Sequence, residues 1–117
     1  MADVTIYHNP TCSTSRYSME TADELGVAVD TVLYLKTEPT EVELLALLGM
    51  LEDAPADLVR KDGHFKELGL DPDAYTTPEA VASLLVEHPR LMQRPVLVRD
   101  GKAIIGRPKD RVAAFLA

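Results

Sequence analysis

The sequence predicts an α/β protein built on a mixed four-stranded sheet with an inserted helical lobe. Three observations predict it: a β-α-β opening, a β-hairpin followed by a helix near the end, and a run of short helices between the two. A parallel strand pair needs a crossover such as a helix, whereas a hairpin delivers antiparallel neighbours, so both pairings are expected in one sheet.

Each element has its own signal. Val4-Thr5-Ile6-Tyr7 is a short β-prone run, and His8-Asn9-Pro10 ends it. A helix is expected from Ser13 to about Gly26, with Tyr17, Met19, Ala22 and Leu25 as candidate buried positions. Thr31 to Leu35 reads as a second strand. Thr40 and Glu43 form a capping-box pattern that opens a helix through Leu51. Between Asp53 and Pro89 short helices alternate with breakers: Pro55 to Val59 leads into a turn at Arg60-Lys61-Asp62-Gly63, and Phe65 to Leu68 suits one helical turn closed by Gly69. Thr77-Pro78-Glu79 starts a further helix that continues to His88, with proline at the first helical position. Val96–Val98 and Ala103–Ile105 flank an Asp100-Gly101 turn and make a hairpin. A last helix runs from about Pro108 to Leu116. One domain is expected over residues 1–117, with the helical insertion at about 40–90.

Bulk properties narrow the function. The chain has 117 residues, enough for one core, and its 46% hydrophobic and 26% charged residues are those of an ordinary globular protein. No run approaches the roughly 18 apolar residues of a membrane helix. MADVTIYHNP lacks the basic start and apolar stretch of a signal peptide, so the cytoplasm is the expected compartment. A formal charge of −7 opposes non-specific binding to nucleic acid and gives no general attraction for anions. An anionic substrate would therefore need positive charge concentrated locally.

There is a single cysteine, Cys12, which excludes a disulfide within the chain. It falls where the first strand gives way to the first helix, a location whose free N–H groups and positive helix end favour a thiolate or an anion. Ser13, Thr14 and Ser15 add hydroxyls, and Arg16 adds a positive charge. The alternative is a small buried hydrophobe, a common fate of free cysteine, but the polar neighbours and the strand-to-helix loop favour a functional thiol. His8, four residues earlier, fits either a base that tunes the thiol or a residue that closes the strand end. His64 and His88 have no ligand-like spacing with Cys12, so no metal site is expected.

The stretch Tyr7-His8-Asn9-Pro10-Thr11-Cys12-Ser13-Thr14-Ser15-Arg16 resembles the active-site signature of the glutaredoxin-coupled arsenate reductases of the ArsC family. Leu58-Val59-Arg60-Lys61, Glu87-His88-Pro89, Arg94-Pro95-Val96 and Gly106-Arg107-Pro108 resemble further landmarks of that family, in its order and at its spacing. The resemblance covers nearly the whole chain. It implies a thioredoxin-like fold with an inserted helical lobe, and reduction of arsenate to arsenite. It also implies that Cys12 is the nucleophile, that Arg60, Arg94 and Arg107 bind the oxyanion, and that His8 and Ser15 help hold Cys12 as thiolate. Pro95 matches a position that is cis in thioredoxin-like proteins. Some relatives carry a longer tail, in which none of the matched positions falls.

The chemistry fits these residue types. Planar guanidinium groups bind oxyanion oxygens bidentately and offset the repulsion between thiolate and anion. Singly, each arginine reads as a solvated surface residue, as do Arg90, Arg99 and Arg111; only the resemblance separates Arg60, Arg94 and Arg107 from them. Reduction of arsenic(V) needs two electrons, and one cysteine cannot supply them through an internal disulfide. External thiols are required, which the resemblance implies to be glutathione, as co-substrate, and glutaredoxin; no bound cofactor is expected, and neither nucleic acid nor a membrane as partner. Three rivals remain: an Spx-like regulator contacting RNA polymerase, a related reductase acting on another substrate, and a single-cysteine thiol transferase. Against the first, Ser15 stands where those regulators carry the second cysteine of a Cys-x-x-Cys switch, and they generally lack the arginine matching Arg107.

Overall fold

The structure, a computed structural model, describes residues 3–117. The first two residues of the N-terminal stretch read above for a leader lie outside them. Strand β1 (Val4–Tyr7) leads through the Cys12 loop into helix α1 (Ser13–Glu24) and back into β2 (Val29–Val32). The helical lobe follows: α2 (Glu41–Met50), α3 (Gly63–Glu67) and α4 (Pro78–Glu87), joined by short 3₁₀ turns at Pro55–Leu58, Pro72–Ala74 and Pro89–Leu91. The chain then returns to the sheet as β3 (Val96–Arg99) and β4 (Lys102–Ile105) and ends in α5 (Asp110–Leu116).

Strand order is β2-β1-β3-β4; β1 is parallel to β2 and antiparallel to β3, and β3 is antiparallel to β4. Side-chain alternation splits the core between the two faces. Val4, Ile6, Leu97 and Ile104 face α1 and α5, packing with Ala22, Val112 and Leu116. Val96, Ala103 and Ile105 face the helical lobe, where Leu44, Leu47, Leu58, Phe65, Val81 and Leu85 form a larger core. This is a thioredoxin-like fold with the inserted helical lobe that the sequence resemblance implied.

Local chemistry explains most element ends. Thr40 and Glu43 form the predicted reciprocal capping box, with Glu43 N–H donating to Thr40 Oγ1 (3.2 Å) and Thr40 N–H to Glu43 Oε1 (3.1 Å). Thr77 caps α4 through Ala80 N–H (3.2 Å), ahead of Pro78. Asp62 caps α3 through Phe65 N–H (3.2 Å), so that helix starts two residues earlier than the predicted turn.

Three expectations need correction. The buried face of α1 is Ser15, Ser18, Thr21 and Ala22; Tyr17 and Met19 are half-buried, and Leu25 is 49% exposed. Ser18 and Thr21 satisfy their hydroxyls on the carbonyls of Thr14 (3.2 Å) and Tyr17 (2.8 Å), one turn back, which lets a polar stripe enter the interior. Gly26, at φ 68°, then reverses the chain, and the half-buried Val27 packs against the core on the α1–α5 side of the sheet. The second strand lies at Val29–Val32 rather than Thr31–Leu35. Its partner β1 stops at Tyr7, His8 N–H makes the last contact with the Val32 carbonyl (2.8 Å), and residues from Leu33 onward turn away, burying Tyr34. The last helix begins at Asp110, not at Pro108. Both Arg94–Pro95 and Arg107–Pro108 are cis; the first was expected from the resemblance, the second was not.

Candidate active site

Cys12 is the N-cap residue of α1, in extended conformation, so its side chain sits at the mouth of the helix among N–H groups of the first turn. The loop before it is tied down by its own amide. Asn9 Oδ1 accepts from the Thr11 N–H (3.0 Å) and the Thr11 hydroxyl (2.8 Å), and the Asn9 carbonyl accepts from Cys12 N–H (3.0 Å). Cys12 also starts the polar stripe of α1: residues 12, 15 and 18 follow helical spacing and are all buried.

Arg107 Nη2 donates to Cys12 Sγ at 3.2 Å across 95 residues of sequence. Burial alone would push the thiol pKa up. The Ser15 N–H, a hydrogen bond from Arg94 and the charges of Arg107 and Arg94 outweigh it, and the net direction is down. The surroundings of Cys12 therefore favour its thiolate form over that of a sulfur in an apolar interior.

His8 makes no hydrogen bond to Cys12. Its Nδ1 is hydrogen-bonded to the Ser15 hydroxyl at 2.6 Å, and Ser15 Oγ also accepts from Asn9 N–H at 3.0 Å. Burial, then the Arg16 charge, lower the His8 pKa, which favours the neutral ring. His8 thus reaches the thiol only through Ser15, whose own N–H faces the sulfur. This geometry favours a positioning residue over a base acting directly on Cys12.

The arginines differ in how they are held. Arg107 Nε donates to the Arg94 carbonyl (2.8 Å), and Gly106 N–H donates to the Pro95 carbonyl (2.8 Å), so the segments carrying Arg94 and Arg107 are stitched together. A Cβ at Gly106 would come within 2.7 Å of Pro95 Cγ, which is why only glycine permits this approach. Arg60 enters from the helical lobe and pairs with Asp62 at 3.2 Å. Burial and the nearby Arg94 charge lower its pKa, with Asp62 opposing: the cations crowd one another and a single carboxylate offsets them.

A cleft of about 220 Å³ opens next to the loop that carries Asn9 and Thr11; neither Cys12 nor Arg107 is among the residues that line it. Arg60, Arg94, Asn9 and Thr11 line it, together with Tyr34 and Asp62. Arg90 and His64 line it too, and sequence reasoning missed both. Nothing in the sequence sets Arg90 apart from other surface arginines, and the spacing of His64 speaks only to a zinc site; in the fold His64 rests edge-to-face on His88. Arg111 was passed over as well. Its Nη1 donates to Asp53 Oδ1 (2.9 Å) and to the carbonyls of Ile105 and Arg107 (3.0 and 3.2 Å), while Asp53 Oδ2 accepts from Ile105 N–H (3.0 Å). The Asp53–Arg111 pair is a clamp on the backbone that carries Arg107. No sequence signal linked residues 53 and 111. Among the described residues no group of three or more His, Cys, Asp or Glu is placed to hold a metal ion, and no helix is long and apolar enough to cross a membrane.

Fold and site together define a thioredoxin-like protein with one thiol whose pKa is lowered by neighbouring arginines. Comparison with known proteins is specific. The ArsC family model matches residues 7–115. An arsenate reductase of Neisseria meningitidis is 38% identical over 118 residues, spanning 99% of this chain and all of that protein. The Escherichia coli protein named uncharacterized protein YfgD is 43% identical over 113 residues, covering 93% and 92% of the two chains. The solved structure of an arsenate reductase from Vibrio cholerae superposes with a TM-score of 0.85 at 35% identity, over 97% of each chain. The chain belongs to the ArsC family.

Proposed function

We propose that this protein is an arsenate reductase, converting arsenate to arsenite through a covalent Cys12–arsenic intermediate with glutathione and glutaredoxin as thiol donors. The observation that carries the reading is Arg107 Nη2 at 3.2 Å from a thiol whose pKa is lowered, in a family whose relatives bear that name.

Two unit negative charges 4 Å apart repel by about 4 kcal/mol at an effective dielectric of about 20. Arg60, Arg94 and Arg107 offset both charges, so the thiolate can approach the bound oxyanion. Cys12 attacks arsenic(V), and one oxygen leaves as water after taking up protons. A glutathione thiol then displaces a second oxygen as water. A second external thiol attacks the arsenic-bound glutathione sulfur; the two sulfurs leave as a disulfide, and arsenic keeps the electron pair of the broken As–S bond and becomes arsenic(III). Water hydrolyses the remaining Cys12–arsenic bond, which returns the thiol and releases arsenite. The lone cysteine requires this external supply. His8 and Ser15 hold Cys12 in its thiolate form. The cytoplasm, where thiols are kept reduced, is the compartment this chemistry needs, and arsenic detoxification is its role there.

Phosphate matches arsenate in shape and charge, so binding discriminates poorly. Selectivity lies in the chemistry, because arsenic(V) accepts electrons from thiols and phosphorus(V) does not. The test is arsenate reduction with glutathione and glutaredoxin, comparing wild type with Cys12→Ser. Turnover by wild type alone is expected; no glutathione-dependent arsenite in phosphate-free buffer would reject the assignment. Reduction of a different oxidised substrate by the same thiol would instead favour the related-reductase reading, which the 43% identity to a relative named uncharacterized keeps in view.

A further inference from the structure

Tyr34 is among the largest fully buried side chains, 0% exposed, yet its hydroxyl has no hydrogen-bond partner among the described residues. Leaving a buried hydroxyl unsatisfied costs about 1–3 kcal/mol, and phenylalanine would fill the same space without that cost. The ring packs in the core of the helical lobe, and Tyr34 also lines the cleft that holds Arg60 and Arg94.

The surroundings show what the hydroxyl lacks. Its charged neighbours are Arg94, Cys12 and Arg60. A guanidinium only donates, so neither arginine can accept the phenolic proton. Asn9 comes close enough to bias the hydroxyl without a hydrogen bond of good geometry. The Asn9 Oδ1 is already occupied by two donors from Thr11, so what Asn9 can offer is a further N–H. The phenolic proton thus faces donors in Arg94, Arg60 and Asn9, and it makes a hydrogen bond with neither of the acceptors nearby, the Cys12 sulfur and the Asp62 carboxylate that pairs with Arg60.

We propose that Tyr34 is a substrate-binding residue whose hydroxyl donates a hydrogen bond to an oxygen of the oxyanion held by the arginines. The inference rests on the anion-site reading above and adds a neutral donor to it. A neutral donor supplies direction without more charge: it selects an unprotonated oxygen and fixes the rotation of a tetrahedral anion that the guanidinium groups attract. Burial raises the pKa of the phenol, so it keeps its proton at working pH and remains a donor. The deep placement has a reason on this view, because the hydroxyl is satisfied only when the site is filled.

The experiment compares wild type with Tyr34→Phe, using inorganic phosphate as the probe. Without anion, the variant should be as stable as wild type or more so, since it loses an unsatisfied group. Phosphate affinity should fall about tenfold or more, the loss expected for a hydrogen bond to a charged acceptor, and the KM for arsenate should rise with it. In wild type the Tyr34 ring resonances should shift on phosphate addition. A variant that is destabilised or unfolded without anion while the wild-type ring resonances ignore phosphate would overturn the proposal, as would unchanged phosphate affinity. If the variant loses phosphate affinity and wild type does not reduce arsenate, the binding role stands and the reductase assignment falls. If wild type turns over arsenate and Tyr34→Phe binds phosphate equally well, the reverse holds.

Discussion

The two halves of the cationic site are built differently. On the inner side, Arg107 is fixed at both ends of its guanidinium, to the Arg94 carbonyl and to Cys12 Sγ, and its backbone is held by the Asp53–Arg111 clamp and the close approach of Gly106 to Pro95. On the outer side, Arg60 has one ion pair with Asp62, and Arg90 is exposed on the rim with no ion pair among the described residues. The inner half sets geometry around the sulfur. The outer half supplies positive field at the mouth.

Substitutions should separate these roles. The largest effect is expected from Cys12→Ser, which should bring arsenate turnover to background while leaving phosphate binding measurable. Next come Arg107→Lys and Arg94→Lys. Lysine keeps the charge and loses the planar fork, and kcat/KM should fall by about 10²–10³, as for removal of an aligned donor at a developing charge. If lysine restored near-normal rates at both positions, the inner half would be acting as field alone, and the contrast would collapse.

Asp53→Ala tests the clamp. It should cost about 1–3 kcal/mol of stability by leaving Arg111 unpaired, and lower kcat/KM about tenfold through a loosened Arg107. The activity loss should vanish in an Arg107→Ala background, whereas the stability loss should persist. The smallest effect is expected for Arg90→Ala: a few-fold rise in the KM for arsenate at low salt that shrinks as ionic strength screens the rim charge.

The thiol also predicts a pH dependence of stability. The Ser15 N–H and the Arg94 and Arg107 groups lower the folded-state pKa of Cys12 from its unfolded value against the opposing effect of burial. Between the two values the unfolded chain binds more protons, so stability rises with pH through that window. The contribution is complete above the unfolded value and is lost as pH falls through the folded one. Denaturation of wild type and Cys12→Ser at a series of pH values should show the gap changing in that direction; a gap flat in pH would remove the thiolate from the account.

What the sequence made legible follows the range of the interactions. The strands at Val4–Tyr7 and Val96–Ile105 and the caps at Thr40 and Thr77 are set by neighbouring residues, and they read directly. The inner face of α1 did not, because Ser18 and Thr21 are polar by type and become buriable only once bonded to carbonyls one turn back. The second strand ends where its partner runs out, which no local pattern reports. The site divides in the same way. Cys12 and its loop were visible as a strand-to-helix junction, and Arg60, Arg94 and Arg107 only through family resemblance. Arg90, His64, Arg111 and Tyr34 acquire their places by tertiary assembly alone.

The central claim is that guanidinium groups distant in sequence hold Cys12 as a thiolate. Its most direct test is titration of the thiolate ultraviolet absorbance in wild type and in Arg107→Ala. A wild-type midpoint below that of a free thiol is expected, with an upward displacement in the variant, where burial acts with less opposition. A wild-type midpoint at or above the free-thiol value, or one indifferent to the loss of Arg107, would contradict it.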